Sequence, residues 1–184
     1  MIEKLKNSDL EIAKKMRLIF QASYKVEAKL LNATNFPPLK RPLENYTESN
    51  TEFYGYTTNG VLAAVVEIDT NNNYTLIRSL VVHPDYFRQG IAGELMKFVL
   101  KTFKSNLLVV ETGLENGPAT NLYEKLGFIE VHQWDRNHGI RKIRFEKHTK
   151  NRASPQTYFI YPNIDFKKLC LNVASIILLL KRLA

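Results

Sequence analysis

The stretch of this chain best equipped for chemistry is Arg88-Gln89-Gly90-Ile91-Ala92-Gly93, which joins a β-branched apolar run ending at His83-Pro84 to an amphipathic segment from Ile91 onward. Side chains around Gly90 are small or absent, so the backbone can approach a ligand closely. The first N–H groups of a helix have no partner inside it, and they lie at the positive end of the helix dipole. Together with the guanidinium of Arg88, these groups make a cradle for phosphate oxygens. The four histidines, His83, His132, His138 and His148, are dispersed without the spacing of metal ligands, so no metal site is expected.

The elements that must hold this cradle can be read outward from it. Ile77 to Val82 is the strand that enters it. Ile91, Leu95, Phe98, Val99 and Phe103 keep the spacing of one buried helix face beyond it. Upstream, Ile2 to Lys6 reads as a short edge strand. Asn7, Ser8 and Asp9 then offer caps to a helix carrying Leu10, Ala13, Met16 or Arg17, Phe20 and Tyr24, with an end, bent or broken, near Leu31. Three prolines within Pro37 to Pro42 make a stiff loop. Phe53 to Thr58 and Val61 to Ile68 flank Asn59-Gly60 as a hairpin, and Tyr74 to Val82 adds a third strand to the meander. Leu107 to Thr112 follows the central helix, and a strand, helix, strand order calls for a parallel pairing and a mixed sheet. Asn116 as N-cap, Pro118 in the first turn and Gly127 at the end frame one more helix. Phe128 to Trp134 and Ile140 to Lys147 form a last hairpin, with the cations from Arg141 to Lys147 on its solvated face.

Two motifs in this order resemble those of the GNAT superfamily of N-acetyltransferases. The first is Leu80-Val81-Val82-His83-Pro84 followed by Gly90-Ile91-Ala92. The second is Asn116, Ala119, Tyr123, Gly127 and Phe128 at the family's spacings. The resemblance covers residues of about 1–148 and implies an α/β fold of the α+β type: a mixed, mostly antiparallel twisted sheet flanked by helices. Phe87 stands where the family carries Gln or Arg, so the basic contribution falls to Arg88 or Lys97.

The same resemblance implies acetyl-CoA as co-substrate and a primary amine as acceptor, on a small molecule such as a polyamine, amino acid or aminoglycoside, or on a protein. Arg88, Gln89, Gly90, Ile91, Ala92 and Gly93 would take the pyrophosphate. Leu80, Val81 and Val82 would pair with the pantetheine arm, a backbone N–H of Val81 or Val82 polarising the thioester carbonyl for direct attack by the amine. Asn116, Ala119 and Tyr123 complete the cofactor side, with Tyr123 as proton donor to the leaving thiolate. The ammonium must also lose a proton; Glu111 is the first choice of base and Glu67 the second. A CoA-binding module without turnover is the alternative.

Composition sets the outer limits. With 184 residues, 45% of them hydrophobic, the chain suits one globular domain and an appendage. The net charge of +8 divides evenly between residues 1–150 and 151–184. No helix-turn-helix or zinc spacing supports nucleic-acid binding. One cysteine, Cys170, and the absence of an apolar leader suggest a cytoplasmic protein. Residues 1–150 read as the acetyltransferase unit and 151–184 as an extension with an apolar helix over Phe166 to Leu183. That helix is too short to span a bilayer and suits packing within the chain or in a homodimer.

Overall fold

Asp9 starts the first long element as a capping residue should: its carboxylate accepts the N–H groups of Glu11 at 2.9 Å and Ile12 at 3.2 Å. In this computed structural model, which describes residues 1–136 and 139–149, helix α1 (Leu10–Leu30) follows strand β1 (Ile2–Leu5). The helix is one continuous α-helix, without the break left open near its end, and buries Ala13, Met16, Ile19 and Phe20. The proline stretch is more ordered than a loop. Pro37–Lys40 forms a 3-10 turn and Glu44–Thr47 a short helix, α2. Prolines at the start of such a turn lose nothing, because their missing N–H would have had no partner there.

The strands are β2 (Glu52–Thr58), β3 (Val61–Thr70), β4 (Thr75–Val82), β5 (Leu107–Gly113), β6 (Ile129–Asp135) and β7 (Arg141–His148). With β1 they form one sheet in the order β1-β2-β3-β4-β5-β7-β6, in which only β4 and β5 are parallel. The β2–β3 turn has φ of +49° at Asn59 and +76° at Gly60, as a tight hairpin requires. Between β4 and β5 runs α3 (Ile91–Thr102), and between β5 and β6 runs α4 (Gly117–Lys125). Asn116 caps α4, Pro118 sits in its first turn and Gly127 lies just past its end at φ +77°.

Alternation along the strands sends one set of side chains to each face. Val66, Ile68, Ile77, Leu108, Val110 and Phe145 pack with Ile91, Leu95, Met96 and Val99 of α3 and Tyr123 of α4. Phe53, Val65 and Val81 pack with Ala13, Met16 and Phe20 of α1 and Tyr46 of α2. Phe103, expected on the face of α3, is its C-cap and still packs on the first cluster. His138 and the whole segment 151–184 lie outside the described residues.

Candidate active site

The site begins with one extra residue in β4. Glu67 pairs with Ser79 but Ile68 pairs with Ile77, so Arg78 is a bulge. A bulge bends its strand and changes the phase of its side chains. Ile77 joins the α3 face, whereas Ser79, two residues on, receives a hydrogen bond from Tyr24 of α1 at 3.0 Å. The pairing of β4 with β5 ends at this point: Thr75, Leu76 and Ile77 match Leu108, Val109 and Val110, and no further pair follows. From Arg78 to Val82 the β4 edge that faced β5 has no neighbouring strand among the described residues, while β5 continues against β7 as far as Gly113. Leu80, Val81 and Val82 line that open edge. The Val81 side chain is buried on the α1 face, leaving its backbone for a ligand.

Beyond β4 the chain turns into α3. Gly90 is the N-cap at φ +80° with no side chain capping the helix. The first helical bond runs from the Glu94 N–H to the Gly90 carbonyl at 3.1 Å, which leaves the preceding N–H groups pointing out of the helix end. Arg88 and Gln89 are exposed, Arg88 at φ +63°. A Cβ placed on Gly93 would meet nothing within 4 Å among the described residues, so neither packing nor backbone conformation demands glycine there. Open space over unpaired N–H groups is what a phosphate needs. Ile91 contributes only its backbone, since its side chain is buried, and Ala92 is half-buried.

Where the strands part, a cleft of about 140 Å³ opens, lined by residues that include Tyr24, Glu27, Phe36, Arg78, Leu80, Glu111, Asn116, Ala119, Tyr123 and Lys142. Tyr123 is buried, its ring against Phe128 and Phe145. Among the described residues its hydroxyl makes no hydrogen bond. Burial, and then the charge of Glu27, push that phenol above its ordinary range, so it carries its proton at neutral pH. Glu111 is half-buried, with an Arg144 guanidinium nitrogen at 3.9 Å. Asn116 caps α4 through a 3.4 Å bond from the Ala119 N–H and donates to the Thr112 hydroxyl at 3.3 Å.

Glu67, the second choice of base, does not line this cleft. Its carboxylate accepts Arg41 at 2.6 and 3.1 Å, Thr51 at 3.0 Å and Ser79 at 3.2 Å. Arg41 in turn lies over the Tyr46 ring at 4.1 Å. Glu67 is therefore a buried structural ion-pair member whose lone pairs are occupied. The solvated-face reading of β7 also needs correction, since Lys142 and Arg144 are half-buried and Lys142 lines the cleft.

Glu27 is the cleft residue that the sequence reading passed over. Burial raises its carboxyl above the usual range, with the Lys142 charge and an Asn116 hydrogen bond pulling it back. The signal was present, because Glu27 falls next in the helical series Ala13, Met16, Phe20 and Tyr24, where an apolar residue would be expected. The α3 N-terminus follows the far end of β4, and the cleft of Glu111 and Tyr123 opens where β4 leaves β5, so the open edge of β4 runs between them.

Residues 16–128 match the family model described as Acetyltransferase (GNAT) family. The UPF0157 protein YqkA of Bacillus subtilis (strain 168) is 30% identical over 154 residues, which are 83% of this chain but 45% of that protein. The chain therefore spans less than half the length of this curated relative. The ribosomal-protein-S18-alanine N-acetyltransferase of Escherichia coli superposes with a TM-score of 0.65 at 21% identity, over 86% of this chain and 99% of that one. The yncA structure from Salmonella typhimurium with its cofactor acetyl-CoA gives 0.63 at 13% identity, over 86% and 98%. At these identities the likeness is one of fold.

Proposed function

Because the chain belongs to the GNAT acetyltransferase family, we propose that it moves an acetyl group from acetyl-CoA to a primary amine. The observation that carries this reading is the parting of β4 from β5 after Ile77 and Val110, with the α3 N-terminus at one end of the opened edge and the Tyr123 hydroxyl at the other. The residues present fit the co-substrate. The N–H groups of Arg88 to Gly93 suit a pyrophosphate, and the unpaired β4 edge over Leu80 to Val82 suits the amides of a pantetheine arm. Acetyl-CoA supplies an activated acyl carbon.

The chain's own groups then divide the proton work. Glu111 takes a proton from the acceptor's ammonium, freeing the nitrogen lone pair to bond to the acyl carbon. As the carbon–sulfur bond breaks, Tyr123 gives its proton to the departing sulfur. Backbone N–H groups of Val81 or Val82 stabilise charge on the acyl oxygen. Asn116 and Ala119 hold the start of α4 and thereby the position of Tyr123, one turn further along.

The test is thiol release from acetyl-CoA across a panel of primary amines, with the product identified by mass. Amine-dependent release with acetylated amine is expected. Tight CoA binding without release for any amine would replace this reading with that of a binding module, and absence of CoA binding would remove both.

A further inference from the structure

The acceptor end of the cleft holds a second carboxylate that the proton transfers above do not use. We propose that Glu27 receives the acceptor's ammonium group, and that the acceptor is a primary alkylamine whose apolar stem lies against the Tyr24 and Phe36 rings. This rests on the amine-acetylating reading above and adds the substrate class to it.

The argument starts from α1. Ala13, Met16, Phe20 and Tyr24 form its inward stripe, and Glu27 occupies the next inward position, half-buried and facing the cleft. Packing alone would fill that position with an apolar side chain, since a carboxylate withdrawn from water is costly unless paired. Four groups face it: Lys142 from β7, Asn116 and Tyr123 from α4, and Tyr24 from its own helix. It lines the same cleft as Tyr24 and Tyr123, so the aromatic wall and the proposed proton donor share a cavity with its carboxylate. Glu67 is committed to its four donors and lies outside the cleft, and Glu111, beside Arg144, is the group assigned the proton transfer. That leaves Glu27, with Lys142 and Asn116 as its neighbours, as the cleft carboxylate to hold the incoming cation. Tyr24 and Phe36 meet edge to face at 5.8 Å and both line the cleft, giving an apolar surface directly beside that charge. A carboxylate next to an aromatic wall recognises an alkylammonium by its charge at one end and its methylenes along the other.

The test measures acceptor binding without turnover. Full-length protein saturated with CoA is titrated with butylamine and with 1-butanol by calorimetry. Wild type is expected to bind the amine and not the alcohol. Glu27→Gln should weaken amine binding about tenfold to a hundredfold, the size of one charge-assisted hydrogen bond, with CoA affinity unchanged. Glu27→Leu, which completes the apolar stripe, is read in the same way should the glutamine variant not fold. Unaltered butylamine affinity in the folded variant, or equal binding of amine and alcohol by wild type, overturns the proposal. Thiol release is measured in parallel: amine binding through Glu27 with no release defeats the catalytic reading alone, and full release by Glu27→Gln at low amine concentration defeats this one alone.

Discussion

Tyr123 holds its proton because its hydroxyl is buried and the nearby Glu27 charge opposes a second negative charge. Tyr123→Phe should therefore lower kcat by roughly 10²–10⁴-fold, the usual contribution of a general acid, while calorimetric CoA affinity stays the same. Unchanged kcat would return Tyr123 to the core packing it shares with Phe128 and Phe145. Glu27 yields a prediction about stability. Its carboxyl binds protons more tightly folded than unfolded, chiefly through desolvation, against the pull of Lys142 and Asn116. The folded state is thus favoured below the usual 4.5 and loses stability as pH rises through the raised value. Glu27→Gln should raise Tm at pH 7 and leave it close to wild type at pH 4, as thermal melts would show. Arg41 behaves in the opposite way: Arg41→Ala takes from the Glu67 carboxylate, 2% exposed, its closest cation, leaving only Arg78 at 3.7 Å, and should cost about 3 kcal/mol in urea titrations. The sequence brings Tyr123 forward through its helix motif and Glu111 through its place at the end of β5, as candidates. It hides the difference between Glu27, Glu67 and Glu111, which is set by partners such as Arg41 and Arg144, distant along the chain.

Among the elements, α3 ties the cradle to the core. Ile91, Leu95, Met96 and Val99 are all buried, so the helix end is held by its own first turn. Gly93 is the informative position. Gly90 needs its positive φ, and substitution there strains the backbone as well as blocking a ligand. Gly93 lies in the helix with open space beyond it, and an acidic side chain near a helix N-terminus favours the helix. Gly93→Asp should therefore abolish CoA binding in calorimetry without lowering Tm, whereas retained binding would move the phosphates elsewhere. Capping residues made α4 legible, and Asn59-Gly60 did the same for the first hairpin, since both are local signals. The Arg78 bulge is not local. It appears only when β3 is laid beside β4, and a single strand read alone gives no sign of an extra residue. The short helix α2 was hidden for another reason, as its four residues have no periodicity to read.

At the scale of the molecule, the apolar clusters and every proposed site residue belong to the compact unit Met1–Asn151. A chain ended after Asn151 should keep the fold and bind CoA with the parent's affinity, measured by circular dichroism and calorimetry. Loss of either would give residues 152–184 a part in the site. No helix among the described residues is long and apolar enough to cross a membrane. The mixed sheet was inferable from element order, whereas the insertion of β7 between β5 and β6 was not, because strand order depends on pairings across the whole sheet. The bulge at Arg78 has one more consequence. It resembles a dislocation in a crystal, a single surplus unit beside which two rows part. Deleting Arg78 should heal the bulge, with Ile77 adjoining Ser79 in plain alternation and β4 free to pair with β5 beyond Ile77, closing the open edge. The most regular version of this sheet would be the one with no open edge to offer a ligand.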